Sequence, residues 1–149
     1  HLMHEHAQNI LDSGYACCIL DIYGQEKEYT DFEGCVGACM SHIQDRPMLA
    51  AKLQAAHKAI THDDHVDSKR LAAIGFCFGG LCVLDMLRIG LELKGVASVH
   101  GILEPCDEIP FSPLENSKVM ILHGHDDPQV APESIEKFML HWSNAGIQN

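Results

Sequence analysis

The sequence predicts an α/β fold, in which helices cover both faces of a mainly parallel β-sheet. Two observations predict it: short, nearly continuous apolar runs alternate with segments of helical periodicity, and turn residues separate the two kinds of segment. Strands buried on both faces of a parallel sheet are apolar along their whole length, as these runs are. The 149 residues have an ordinary globular composition and no internal linker or repeat, so we expect a single domain, 1–149.

In the first half of the chain, a helix is predicted over residues 3–12, followed by a strand over Tyr15–Ile22 (YACCILDI). Asp31 is suited to cap a helix that runs to about residue 44, and Pro47 fits the first turn of another helix. The apolar residues of that last helix recur at helical spacing and mark its buried face: Leu49, Leu53, Ala56 and Ile60.

The second half of the chain alternates strands with helices. A helix that is apolar almost all round is predicted over Phe78–Ile89, and Pro132 opens another. The remaining predicted strands are Arg70–Phe76, Gly95–His100 and Val119–His123. Because functional groups of parallel sheets collect beyond the carboxyl ends of the strands, the loops after these strands are the candidate site.

Charge and composition exclude several classes of partner. Ten Lys and Arg against 21 Asp and Glu give a net charge of −11, and the basic residues are scattered, so we expect no nucleic-acid partner. We also expect no membrane partner, because no apolar run is long enough to cross a bilayer. Seven cysteines without a disulfide-framework spacing, and a first segment unlike a signal peptide, predict a reducing, cytoplasmic location. We expect most of these thiols to be small core residues.

The strongest chemical signal is the segment GFCFGG, residues 75–80, which follows a strand and opens a helix. It has the G-x-nucleophile-x-G pattern of a nucleophile elbow, with Cys77 as the nucleophile. The pattern predicts a strained backbone at Cys77, and glycine at 75 and 79 because side chains there would collide. The helix N-terminus favours a thiolate, and the backbone N–H of Phe78 is the natural oxyanion donor. A glycine-rich turn around a structural cysteine is the alternative interpretation.

A second signal, HGHDDPQV, follows the last predicted strand. A nucleophile–histidine pair needs a carboxylate that orients the histidine, and in elbow hydrolases this acid follows the nucleophile at a strand end. Asp126 and Asp127 both qualify by position, and we expect one of them to cap a turn or helix instead. Tyr23 and His100 also lie at strand ends, where they are candidates for the substrate pocket or for a scaffold role.

Together these motifs resemble the dienelactone hydrolase family of α/β-hydrolases. The resemblance covers essentially the whole chain and is carried by GYACCILDIYG (14–24), IGFCFGG (74–80), SVHG (98–101) and VMILHGHDD (119–127). It implies that Cys77 is the nucleophile and that Asp127 is the triad acid, since its spacing to Val130 matches the family's D-x-x-V run. It also implies hydrolysis of a small-molecule ester or lactone through a thioester, with no cofactor.

The resemblance further implies a partial α/β-hydrolase fold. Members of the family have strands before the one at Tyr15, one of which lies between the strands that start at Tyr15 and Arg70. Their triad histidine follows a last strand, and no residue of this chain matches that histidine. We therefore expect the full-length product to be a hydrolase and these 149 residues to be inactive alone. His100 and His123, which end strands at the same edge, are the alternatives for the base.

Other classes of function are left open by the sequence. A non-catalytic binding or scaffold module of the same fold would retain the elbow without chemistry at Cys77. A cysteine amidotransferase also presents its cysteine on an elbow, although an aspartate at a late strand end argues against it. Arg46 and Arg88 are candidates for binding an anionic substrate by residue type alone. The eleven histidines predict no metal site, because they do not converge from rigid elements, and the oligomeric state is open.

Overall fold

The computed structural model describes residues 2–24, 29–114, 117–127 and 130–144. Helices and strands follow one another in the order α1 (Leu2–Asp12), α2 (Phe32–Gln44), α3 (Arg46–Thr61), β1 (Ala72–Phe76), α4 (Phe78–Arg88), β2 (Gly95–Val99), β3 (Lys118–Leu122) and α5 (Pro132–Asn144). A single 3₁₀ turn, Ser68–Arg70, leads into β1. Of the HGHDDPQV segment, residues 128 and 129 lie outside the described residues.

Local signals define the helix ends. The side chain of Asp31 accepts a hydrogen bond from the backbone N–H of Gly34 at 2.6 Å, which confirms it as the cap of α2. Asp45, which the sequence analysis did not single out, caps α3 in the same way, accepting from the N–H of Met48 at 2.9 Å. Pro47 lies in the first turn of α3, as its fixed φ and missing N–H favour.

The three strands form one parallel sheet in the order β1-β2-β3. Their register aligns Phe76 with Val99 and Val99 with Leu122, so all three strands end at one level. One face of the sheet packs on α4, nearly all of whose residues are buried. The core around α4 is apolar, and its least exposed members are Leu49, Leu53, Leu81, Leu87 and Leu103. α4 therefore holds the loop beyond β1 rigidly against the sheet.

The opposite face of the sheet is only partly covered. At its carboxyl end, the ring of Phe76 stacks on His6 of α1, with 4.6 Å between ring centroids. On the same face, Ile74 is 49% exposed, Met120 57% and Leu122, which is level with Phe76, 53%. Helices thus lie on both faces, but α1 contacts the second face at the end of β1 and leaves the end of β3 exposed.

The predicted strand over Tyr15–Ile22 is wrong for the described structure. Residues 15–21 lie outside the sheet, and Tyr15 and Ile19 are exposed. An apolar sequence forms a strand only where a neighbouring strand completes its backbone hydrogen bonds, and β1 pairs only with β2 among the described residues. The expectation for the thiols is also wrong, because only Cys82 and Cys106 of the seven cysteines are buried. Within the described residues, no helix has the length and apolarity needed to span a bilayer.

Candidate active site

Cys77 lies at the junction of β1 and α4 in a strained backbone conformation. Its φ of 54° and ψ of −118° fall in a region that non-glycine residues rarely adopt. The N–H of Cys77 donates to the carbonyl of Val99 at 3.1 Å, and its carbonyl accepts from Gly80 at 2.9 Å. The residue is therefore tied to β2 on one side and to the first turn of α4 on the other. The sharp turn predicted from the sequence is present.

Phe78 is the first residue of α4 and is buried. The first N–H groups of an α-helix have no carbonyl partner within the helix, and the helix dipole places positive potential at this end. The Phe78 N–H adjoins Cys77 in the chain. The local geometry therefore supplies a donor and a favourable potential next to the thiol, which are the two features an attacking thiolate needs.

The turn requires glycine at position 75 but leaves room for a side chain at position 79, where the sequence predicted a collision. A Cβ at Gly75 would lie 1.9 Å from the carbonyl oxygen of Gly79, so glycine at 75 is required by close approach. A Cβ at Gly79 would meet nothing within 4 Å, so the expected collision there is wrong. The backbone of Gly79 is close to residue 75, while the space where its own side chain would lie is open. Gly80 is the second tight position, because a Cβ there would lie 2.6 Å from the Ser98 hydroxyl.

Beyond β2 and β3, the carboxylate of Asp127 faces the ring of His100. Oδ2 of Asp127 lies 3.6 Å from Nδ1 of His100, and the Asp127 side chain is only 10% exposed. A turn in which the N–H of Asp127 donates to the carbonyl of Gly124 at 3.2 Å places the carboxylate there. Asp126 of the same turn is exposed. Of the two candidate acids, Asp127 is the one that lies against another candidate site residue.

The register of the sheet brings Cys77, His100 and Asp127 to one edge. The hydrogen bonds between neighbouring strands continue one residue past the ends of β1 and β2. The N–H of Cys77 donates to the carbonyl of Val99, and the N–H of His100 donates to the carbonyl of Leu122 at 2.7 Å. His100 also has a positive φ of 42°. His123 follows β3 at the same edge, but both of its ring nitrogens are buried and have no hydrogen-bond partner within the described residues. The ring nitrogens of His123 therefore lack the exposure that a base acting on a bound substrate needs.

Tyr23, a candidate for the pocket or for a scaffold role, lies against the elbow although the strand predicted before it is absent. Its ring stacks on Phe78 with 5.7 Å between centroids. Burial raises the pKa of Tyr23, and the nearby thiols of Cys39, Cys82, Cys35 and Cys77 raise it further. The Tyr23 hydroxyl therefore stays protonated at neutral pH.

Among the neighbouring thiols, Cys39 raises the pKa of Tyr23 most. Burial, followed by the charge of Cys77, raises the pKa of the Cys39 thiol, while a side-chain hydrogen bond with Tyr23 lowers it. The raised pKa keeps Cys39 in its thiol form, which is a poor nucleophile.

Arg46 and Arg88 do not bind substrate in this arrangement, so the candidate role by residue type is wrong. Both are buried and share the carboxylate of Asp85. Arg46 donates to its two oxygens at 2.7 and 2.5 Å. Nε of Arg88 lies 3.5 Å from Oδ1 of Asp85. The Arg88 guanidinium also donates to the carbonyl of Cys106 at 3.0 Å and lies over the Phe111 ring. These cations tie α3, α4 and the loop after β2 together inside the protein.

Two residues near the site, His42 and Lys52, were missed by the sequence analysis. His42 is buried among the rings of Tyr23 and Phe78, and Lys52 hydrogen-bonds to it at 2.8 Å. A histidine within a helix and a lysine within the next helix carry no motif. Only their three-dimensional neighbours distinguish them from ordinary surface residues.

A parallel sheet whose first strand ends in a strained cysteine elbow, followed by an acid after a later strand, is typical of the α/β-hydrolase fold. A family model described as "Dienelactone hydrolase family" matches residues 2–148. The chain belongs to the dienelactone hydrolase family.

Individual relatives agree with this family. An uncharacterized protein of Caenorhabditis elegans is 36% identical over 91 residues, which are 60% of this chain and 58% of that protein. A putative carboxymethylenebutenolidase of Yersinia pestis is 28% identical over 148 residues, 90% of this chain and 55% of that one. The solved structure of a dienelactone hydrolase-like promiscuous phosphotriesterase from metagenomic libraries has a TM-score of 0.83 at 29% identity, covering 97% of this chain and 59% of that one. The chain therefore spans between half and two thirds of the length of these relatives.

Proposed function

We propose that the full-length protein hydrolyses small carboxylic esters or lactones with Cys77 as the nucleophile. One observation carries the proposal: Cys77 occupies a strained strand-to-helix elbow at the sheet edge where Asp127 also lies. Membership of a hydrolase family and similarity to a putative carboxymethylenebutenolidase support the chemical class. The number and spacing of the seven cysteines, which do not match a disulfide framework, support a reducing location such as the cytoplasm.

In the proposed reaction, the thiolate of Cys77 attacks the carbonyl carbon and forms a carbon–sulfur bond. The carbonyl oxygen takes up the negative charge and accepts a hydrogen bond from the Phe78 N–H. The bond to the alcohol oxygen then breaks, and the alcohol leaves with the proton that the Cys77 thiol gave up when the thiolate formed. Water attacks the resulting thioester, which releases the acid and restores the thiol.

Asp127 is proposed as the acid that orients the catalytic histidine, a residue without counterpart among these 149 residues. The 3.6 Å between His100 and Asp127 exceeds hydrogen-bond distance, so we place His100 in the pocket wall with Tyr23 rather than in the role of base. It follows that this chain alone forms a thioester but does not turn over.

Thiol labelling tests the proposal. Iodoacetamide at neutral pH should alkylate Cys77 about tenfold faster than Cys18, an exposed thiol outside the site, as read by peptide mass spectrometry. Equal, slow labelling of both thiols in the full-length protein would instead support a non-catalytic module. Sustained ester turnover by the 149 residues that Cys77→Ala abolishes would contradict the proposed inactivity and return His100 to consideration as the base.

A further inference from the structure

The amino group of Lys52 joins α3 to two elements beside the elbow. Its Nζ donates to the carbonyl of Ile22 at 2.9 Å and to Nε2 of His42 at 2.8 Å. Because an ammonium has only donors, Nε2 accepts, and the proton of the neutral imidazole is assigned to Nδ1. Nδ1 then donates to the carbonyl of Ala38 at 2.7 Å. Both ring nitrogens of His42 are satisfied, and the ring is fixed in one orientation.

The fixed ring packs on the residues that adjoin the thiol. His42 is only 6% exposed. It meets Tyr23 edge-on at 5.4 Å between centroids and Phe78 at 5.8 Å. Since Tyr23 and Phe78 also stack on each other, the three rings form one cluster beside Cys77.

The backbone around Tyr23 is held from two directions. Oδ1 of Asp21 accepts from the N–H of Tyr23 at 3.1 Å and from that of Gly24 at 3.0 Å, which fixes the turn beyond Ile22. Lys52 binds the carbonyl of Ile22, the residue just before Tyr23. The position of the Tyr23 ring therefore depends on Lys52 twice, through the backbone and through His42.

We propose that Lys52 and His42 are positioning residues for the Cys77 site, holding Tyr23 against Phe78 as a fixed wall for the bound ester. The inference rests on the proposed function, because it takes Cys77 as the nucleophile. Neither residue touches the reacting atoms, and both act through Tyr23. A purely structural role, in which Lys52 only anchors α3, would change stability but not the way the site binds an ester.

Acylation by p-nitrophenyl acetate separates these roles in the 149-residue chain. The Cys77 thiolate attacks the acetyl carbon, the bond to the phenol oxygen breaks, and one p-nitrophenolate per chain leaves as a thioester forms. The rate at several ester concentrations yields a maximal rate and a half-saturating concentration. Lys52→Met should raise the half-saturating concentration about fivefold and leave the maximal rate within about twofold, because a wall is displaced while the elbow remains.

Matched variants complete the test. Lys58→Met, at an exposed position of the same helix, should behave as the unsubstituted chain, and Lys52→Arg, which also donates two hydrogen bonds, should retain its half-saturating concentration. His42→Phe keeps a ring but loses both hydrogen bonds, so it should resemble Lys52→Met, and it carries the test if Lys52→Met does not fold. Equal half-saturating concentrations in folded Lys52→Met, His42→Phe and Lys58→Met would overturn the inference. A release of p-nitrophenolate that Cys77→Ala leaves unchanged would instead overturn the proposed function.

Discussion

Asp127 and His100 face each other across the ends of β3 and β2, with Oδ2 of the carboxylate 3.6 Å from Nδ1 of the imidazole. Each is fixed by a backbone hydrogen bond, His100 to Leu122 and Asp127 to Gly124. The carboxylate is nearly buried, whereas about half of the His100 side chain is exposed. A nearly buried carboxylate at the same sheet edge as the elbow is suited to a triad acid, and a half-exposed ring is suited to a pocket wall.

The two residues should therefore respond differently to substitution in the full-length protein. We expect Asp127→Asn to lower kcat/KM by about three to four orders of magnitude, because an amide stabilises the wrong tautomer of the catalytic histidine. His100→Asn should cost less than about tenfold, mostly through KM, as for a residue that only lines the pocket. Steady-state kinetics with one activated ester measures both. Equal losses in the two variants would assign His100 to the proton transfer.

The elbow could be predicted from sequence because its geometry imposes local requirements. Glycine at 75 is set by a steric limit that acts within five residues, and the turn follows directly from β1 into α4. The position of Asp127 could be predicted for a similar reason, because it follows β3 closely in the chain. The catalytic roles of Cys77 and Asp127 stay predictions, because placement at one edge shows what the residues can reach and not what they do.

Other features depend on partners distant in the chain. The apolar run at Tyr15 has the composition of a strand, but strand formation depends on a neighbour and not on composition. Lys52 reaches Ile22 across thirty residues, and Arg46 reaches Asp85 across thirty-nine. No sequence periodicity indicates such pairs, so the first contact was not predicted, and Arg46 was a candidate for binding an anionic substrate by residue type alone.

Two alanine substitutions in the elbow should have opposite effects. Gly75→Ala places a Cβ against the Gly79 carbonyl at 1.9 Å, and since backbone must move, we expect a loss of about 3 kcal/mol or more in the free energy of unfolding. Gly79→Ala adds a methyl group to open space in the first turn of α4. Because alanine favours a helix over glycine, we expect the free energy of unfolding to rise by up to about 1 kcal/mol. Urea unfolding measures both. A large loss on Gly79→Ala would contradict the open space.

The buried carboxylate of Asp85 should contribute to stability and not to the chemistry. Asp85→Asn leaves Arg46 and Arg88 buried without their counter-charge, for which we expect a loss of about 3 to 5 kcal/mol in the free energy of unfolding. The rate of Cys77 alkylation in the remaining folded protein should change less than about twofold, because the network lies inside the fold. Asp64→Asn, on an exposed loop, is the control. A slower Cys77 reaction at unchanged stability would place the network in the site.

Alkaline pH should destabilise the protein through the buried thiol of Cys82. Burial, followed by the charge of Asp85, raises the pKa of Cys82 from 9.0 to about 12. Between these values the unfolded thiol loses its proton while the folded one keeps it, so the folded state binds more protons and stability falls as pH rises. The stabilisation is fully present below about pH 9 and is lost towards pH 12. Cys82→Ala should flatten the fall, as measured by urea unfolding from pH 8 upwards, whereas Cys18→Ala, which removes an exposed thiol, should not. Equal slopes in the two variants would show that the Cys82 thiol ionises as readily in the folded protein as in the unfolded chain.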